Sequence, residues 1–442
     1  MLLCCQISAA RAVANPGPCS TSSTKTVPFA LEGAVLATLR DVAGQGLAVD
    51  PRLSCAAQAL LPHAPQKVGA ALPIGPLRDA AWHLGVVDAQ LYAVALSVPL
   101  SGSDPVQELQ RSVEGALKTF LAGVAFNRVG LAYHAADLAD VQAVAPRQLP
   151  GTAKSADTAY VQGSAKKGPT FVGRLVVALS NHLVQLQPLV QPVVRNAEIM
   201  VRGHVLSSDA AAGAMKLTLA LTFPDGATHS APLLHDRGRI EQRIAVGPGA
   251  GRLMVEVLID RGTGPQIAAL FPVQVGAEGS YVPRAISAAV TADVALEAEA
   301  AGRAVLSARQ PNVLAAQAAT VLRLLNNVRR THGLVALRPE PQLTQVAQAH
   351  SQDMRQHAQF AHCVADHGTV LTRLQAFGVQ PLAVAENLAV APSATAAMQQ
   401  WMQSPAHLAA LLHPAANALG VGVAPSWRND AAQLYTLILA RL

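Results

Sequence analysis

The chain has 442 residues, which at roughly 100–200 residues per domain implies two to four domains, and its composition breaks favour three. Charged residues make up only 14% against a typical value of about 25%, with 33 basic and 27 acidic residues spread along the length for a net charge of +6. No basic run exceeds Lys166-Lys167 or Arg329-Arg330, which excludes the clustered footprint of a nucleic-acid partner, and no apolar stretch long enough for a transmembrane helix escapes interruption.

Residues 1–25 join an apolar Met1–Ala10 to a small-residue Ala12-Val13-Ala14 step, the pattern of a secretory leader without its positively charged start. They are expected to be a signal remnant or a disordered N-terminus, and the protein to be secreted or extracytoplasmic. Cys4 and Cys5 would leave with such a leader. Cys19 and Cys55 are then candidates for one disulfide in an oxidising compartment, and Cys363 for an unpaired thiol.

Residues 26–185 carry Gly46-Leu47, Leu53-Ser54-Cys55-Ala56-Ala57-Gln58-Ala59-Leu60, Gly85-Val86-Val87 and Asn127-Arg128-Val129-Gly130, with Val176–Leu179 as a late strand. The Pro-, Gly-, Ser-, Thr- and Lys-bearing stretch 146–167 reads as a long loop or insertion.

In residues 190–280 the period changes to two. Leu217, Leu219 and Leu221 alternate with Lys216, Thr218, Ala220 and Thr222 before a Pro224-Asp225-Gly226 turn. Ile199–Val205, Arg239–Val246, Leu253–Asp260 and Ile267–Val275 continue the pattern, predicting an antiparallel β-sandwich. It holds no cluster of catalytic residue types, so a spacer or adhesive module is expected. An Ala-rich helical linker is predicted over 283–311.

In residues 312–442, Leu314, Ala318, Val321, Leu325 and Val328 form one stripe of a first helix. A second helix, from about Pro341 to Gln356, lines up Leu343, Val346, Ala347, His350 and Met354, so His350 lies among core residues, where an imidazole is ordinarily a satisfied packing group. Glu386 alters that reading. It sits in Val384-Ala385-Glu386-Asn387-Leu388-Ala389, where an unpaired buried carboxylate would cost on the order of several kcal/mol, and His350 and His407 are its candidate partners. Two imidazoles and a carboxylate are the ligand types of a zinc site; a structural hydrogen-bond network of the same three residues is the alternative. His357, His367 and His413 read as surface or packing histidines. Gly420-Val421-Gly422 opens no helix and is no phosphate cradle, Ser351 lacks a nucleophile elbow, and the adjacency of Cys363 to His362 does not make a working thiolate and base.

Taken in order, Ala349-His350-Ser351-Gln352-Asp353-Met354, Phe360-Ala361-His362, Glu386-Asn387-Leu388, Trp401-Met402-Gln403-Ser404-Pro405-Ala406-His407 and Gly420-Val421-Gly422-Val423 resemble the bacterial branch of the CAP superfamily, the SCP-like, cysteine-rich secretory and pathogenesis-related proteins. The resemblance implies an α-β-α sandwich over 312–442, mostly non-catalytic roles, and one cavity faced by His350, Glu386 and His407. His362, as a loop anchor, with Asn387, Trp401 and Ser404, would support it. The chain departs from the pattern in three places. Gln403 and Ser404 stand where animal and plant members have a second cavity glutamate, His407-Leu408-Ala409-Ala410 replaces the His-Arg-x-Asn common in bacterial members, and Thr436-Leu437 replaces the usual Thr-Gln. A cavity stripped of these polar groups is expected to bind rather than catalyse.

The N-terminal steps recur in register as Gly333-Leu334, Leu343 to His350, Gly378-Val379-Gln380 and Asn417-Ala418-Leu419-Gly420, so residues 26–185 are expected to be a degenerate CAP-like copy with Leu60 in place of His350. The fold class is therefore α+β: a degenerate CAP-like domain, a middle β-sandwich and a C-terminal CAP domain. The expected function is a secreted or cell-envelope protein that binds an unknown ligand or envelope component through a partly solvent-accessible C-terminal cleft holding His350, Glu386 and His407, with a divalent metal, zinc, as the candidate cofactor. The alternatives are a zinc-dependent hydrolase acting on peptide or cell-wall material, with Glu386 as base or ligand, and a structural envelope protein whose site is vestigial.

Overall fold

The computed structural model describes residues 29–43, 46–61, 70–72, 74–99, 126–137, 171–189, 191–206, 215–276, 311–365, 367–427 and 432–442. The leader at 1–25, the loop at 146–167 and all but the end of the 283–311 linker lie outside them.

The N-terminal segment contains α1 (Phe29–Ala43), β1 (Ala48–Val49), α2 (Pro51–Gln58), β2 (Ala70–Ala71), α3 (Ile74–His83), β3 (Leu91–Pro99), β4 (Arg128–Asp137) and β5 (Phe171–Ser180). Its sheet runs β1-β4-β5-β3-β2, with β1 parallel to β4 and the other pairs antiparallel. Helix α2 starts where Pro51 has no amide to lose and the Asp50 side chain accepts from Arg52 N at 2.9 Å. It lies so close to β4 that a Cβ on Gly130 would sit 2.2 Å from the Leu53 carbonyl carbon, which demands glycine there. Apolar side chains fill both faces of the sheet: Leu39, Val94 and Leu131 on one, Leu53, Leu60 and Ala93 on the other. Cys55 is disulfide-bonded, and Cys19, its expected partner, lies outside the described residues.

Next come β6 (Val184–Leu186), β7 (Glu198–Val205), β8 (Lys216–Thr222), β9 (Thr228–Pro232), β10 (His235–Asp236), β11 (Arg239–Ala245), β12 (Gly251–Asp260) and β13 (Pro265–Val275). They form two antiparallel four-stranded sheets, β10-β11-β7-β6 and β13-β12-β8-β9, around one core in which Leu217, Leu219 and Leu221 meet Val255, Val257, Ile240 and Ile244. The alternation does this directly, since successive side chains point to opposite faces. Between β8 and β9 the turn closes through Phe223 N to Ala227 O at 2.8 Å, with Gly226 at φ +86. Trp82 and Val87 of the N-terminal segment pack into this same core, and Trp82 Nε1 donates to Leu270 O at 2.6 Å.

The C-terminal segment contains α4 (Pro311–Thr331), β14 (Arg338–Pro339), α5 (Pro341–Gln356), α6 (Val370–Ala376), β15 (Ala383–Ala391), α7 (Ala394–Gln403), α8 (Pro405–Leu411), β16 (Ala418–Pro425) and β17 (Gln433–Arg441). Its sheet runs β14-β16-β17-β15, with β14 parallel to β16 and the rest antiparallel. Val321, Leu325, Met398 and Trp401 pack on one face; Leu343, Val346 and Ala347 of α5 pack on the other. Gly420 and Gly422 have a steric reason: a Cβ on either would come within 2.2 Å of the α5 backbone at Leu343 or Ala347.

Candidate functional site

His350 points inward from α5 and is fully buried, as its place on the apolar face of the helix requires. The loop after α5 folds back so that the Ala361 carbonyl lies 3.1 Å from His350 Nε2, which therefore carries the ring proton and donates it; Nδ1 is buried without a partner. Burial pushes the His350 pKa down to about 4 against the opposing pull of Glu386, so the ring is neutral near pH 7.

Glu386 lies on β15 with its side chain 2% exposed. Its Oε1 is 2.9 Å from His362 Nδ1, and its Oε2 accepts from Arg373. Burial alone would raise this carboxyl, but the His362 hydrogen bond and the charges of His350, Arg373 and His362 outweigh it and hold the group below the ordinary carboxylate value. Arg373 comes from α6 and also donates to the carbonyls of His362 and Gly368, each at 2.8 Å, tying the loop down from both ends.

The expected trio is thus brought together in part. His350 Nε2 stands 3.9 Å from Glu386 Oε1, beyond hydrogen-bond length. His407, on α8, is held through its carbonyl, which accepts from Asn387 Nδ2 at 3.1 Å, and burial followed by the nearness of His362 pushes its pKa down to about 3. Among the described residues no hydrogen bond joins its ring to Glu386 or His350. Trp401 Nε1 donates to Leu388 O at 2.8 Å deep in the core, and Ser404 Oγ donates to Glu256 Oε1 at 2.7 Å.

These residues, as arranged, do not fit a zinc ion. Both Glu386 oxygens are engaged, one by a guanidinium, and the Nε2 of His350 faces a carbonyl as a donor. Among the described residues no three His, Cys, Asp or Glu side chains are grouped to hold a metal.

The cleft expected here is partly covered: the side chains of His350 and Glu386 are buried, while 20% of the His362 side chain stays exposed. The turn between β12 and β13 lies on the loop, with the position of an absent Gly264 Cβ only 2.7 Å from His362 Cβ. Glu256, on β12 and fully buried, accepts from Ser404 Oγ and, at 2.8 Å, from Ala406 N. Burial raises the Glu256 pKa to about 7, opposed by these two bonds and by Arg78.

Two participants escaped the sequence reading. Arg373 follows an apolar position of a short helix, and its only signal was the need of Glu386 for a cation, which the histidines had seemed to meet. Glu256 reads in sequence as one more outward residue of an alternating strand.

Residues 322–439 match the family described as CAP, the cysteine-rich secretory protein family. The chain is 35% identical over 104 residues to the uncharacterized membrane protein YlbC of Bacillus subtilis strain 168, covering 23% of this chain and 30% of that protein. It is 29% identical over 117 residues to the uncharacterized protein YkwD of the same organism, covering 26% of this chain and 46% of that one. It therefore spans less than half the length of either relative. Among solved structures, an extracellular SCP-domain protein of Bacillus anthracis strain Ames is 20% identical at a TM-score of 0.27, over 59% of this chain and 68% of that chain. A cysteine-rich secretory protein of Staphylococcus aureus is 13% identical at a TM-score of 0.25, over 56% and 66%.

Proposed function

We propose that this chain, whose residues 322–439 are a CAP domain, acts outside the cytoplasm by binding a ligand or envelope component at the face built from His350, His362, Glu386 and His407, and does not catalyse. The observation that carries this reading is the commitment of Glu386: His362 and Arg373 engage its two oxygens, leaving no free carboxylate to act as a general base or to complete a metal site. Asn387, Trp401 and Ser404 serve the face by anchoring β15, α7 and α8 around it. The Cys55 disulfide supports an oxidising compartment.

In this reading residues 26–185 are a second CAP-like copy without the site, residues 190–280 a sandwich domain between the copies. Matching bonds support it. Asp50 N donates to Val129 O at 2.9 Å as Glu340 N does to Leu419 O at 2.8 Å. The Asn127 side chain pairs with the main chain of His182 at 2.9 and 2.7 Å, as Asn417 pairs with Leu442 at 3.0 Å. Gly130 meets Leu53 at the 2.2 Å at which Gly420 meets Leu343. Leu60 follows Leu53 as His350 follows Leu343, Ala80 precedes Gly85 as Arg373 precedes Gly378, and Ala93 follows Leu91 as Glu386 follows Val384 at matching strand registers. Each of these three polar groups, His350, Arg373 and Glu386, is matched by an apolar residue in the N-terminal segment.

The test is incubation of the full chain with digested murein and with denatured protein, with and without zinc. Binding of murein fragments without turnover is expected; zinc-dependent cleavage that Glu386→Gln abolishes would overturn the reading.

A further inference from the structure

The face proposed to bind is covered by another part of the same chain. Three contacts do this. Glu256 takes both Ser404 Oγ and Ala406 N at the start of α8, the turn bearing Gly264 rests on His362, and Arg78 of α3 reaches Gln403 Oε1 at 3.3 Å. Gly264 adopts φ +96 and has no Cβ, and any side chain there would collide with the His362 Cβ. The turn is held in shape by Asp260, whose Oδ1 accepts from Gly262 N at 2.8 Å and Gly264 N at 3.2 Å, and whose charge reaches Cys363 next to His362.

The two sides of the sandwich are attached differently. Trp82 and Val87 of the N-terminal segment enter the sandwich core, and Ala89 packs with Met254 and Leu270. Among the described residues, none from 311–442 joins an apolar cluster with the sandwich. Apolar burial makes the first junction one body, whereas the second, where α8 lies along β8, β9 and β12, shares no apolar cluster and is held by the polar bonds of Glu256, the kind of contact across which segments move.

We infer that the β12–β13 hairpin is an intramolecular lid on the CAP face, latched by Glu256, and that the N-terminal segment and sandwich swing away together to admit the ligand. This rests on the reading of that face as a binding site. The covered groups explain the choice of latch: the two carboxyl oxygens of Glu256 meet the donors at the start of α8, and a bare glycine turn fits over the imidazole of His362.

Peptide-resolved hydrogen exchange and alkylation of the partly buried Cys363, both read by mass spectrometry on the full chain, test it. Glu256→Lys removes the acceptor at Ser404 and sets a cation near Arg78; Gly264→Val drives a carbon into His362. Each is expected to raise Cys363 labelling and exchange in residues 359–365 and 404–411 about tenfold or more, with β16 and β17 unchanged. Wild-type labelling in a folded variant would overturn the lid. Where a variant lacks a cooperative unfolding transition, the wild type decides: in sub-denaturing urea, residues 260–264, 359–365 and 404–411 should open together before global unfolding, and opening only with the whole molecule overturns the proposal. Digested murein separates the two readings. Equal affinity for wild type and both variants sinks the lid alone, while faster labelling with no murein bound by any form sinks the binding reading alone.

Discussion

Arg373 and Glu386 form an ion pair that is almost wholly buried, with side chains 7% and 2% exposed, and the same guanidinium holds the loop carbonyls of His362 and Gly368. One side chain therefore neutralises the carboxylate of the site and shapes the loop over it. Removing one partner of such a pair strands the other charge, which costs far more than the pair contributes net.

Arg373→Ala should lower stability by about 3–5 kcal/mol in urea unfolding at pH 7, and the double change with Glu386→Leu should recover a large part of it. A single variant that unfolds like the wild type would show that water, not the guanidinium, neutralises Glu386.

Acid should destabilise the C-terminal segment through both kinds of group. The Glu386 carboxyl is held below its ordinary value, so its stabilisation is present above about pH 4.5 and is lost as pH falls through the folded value. His350 is depressed from 6.5 to about 4, so its neutral burial becomes costly as pH falls below 6.5. His350→Leu, the residue at the matching N-terminal position, should flatten the stability profile between pH 6.5 and 4. An unchanged slope would place the titration elsewhere.

Glu256 works in the opposite direction. Its buried carboxyl is raised from 4.5 to about 7, so the arrangement that buries it is most favoured below about pH 4.5 and loses that contribution as pH rises through 7. The groups facing it are Ser404 and Ala406 on α8 and Arg78 on α3, with Leu270 and Ala220 opposite it on the neighbouring strands. Cys363 labelling, corrected for thiolate fraction, should rise between pH 5 and 7.5 in the wild type and be flat in Glu256→Gln.

Gly130→Ala and Gly420→Ala should each cost about 1–3 kcal/mol or more, because each new Cβ meets helix backbone that cannot rotate away. Matching losses in thermal or urea unfolding would support equivalent helix-on-strand contacts in the two segments; a silent Gly130 variant would speak against the second copy.

Zinc titrated calorimetrically into the full chain is expected to show no stoichiometric site. A 1:1 isotherm abolished by His350→Ala with His407→Ala would require the loop carrying His362 to rearrange and free Glu386.

The local parts of this protein were legible in its residues. Leu217, Leu219 and Leu221 had to face a core because alternation leaves a strand no other option, and His350 had to point inward with Leu343, Val346 and Ala347 because they share a helical stripe. The ordered motif steps from His350 to Gly422 marked the C-terminal family for the same reason: each constrains backbone within a few residues. Which polar groups would meet was decided by tertiary packing alone. Glu386 found Arg373 from a neighbouring helix instead of His407, and Ser404 found Glu256 across the junction between the sandwich and α8. Periodicity reports the face on which a side chain lies, but the partner of a buried charge depends on which distant element is packed against that face. A glutamate in an alternating strand therefore looks the same in sequence whether water or another part of the chain covers it.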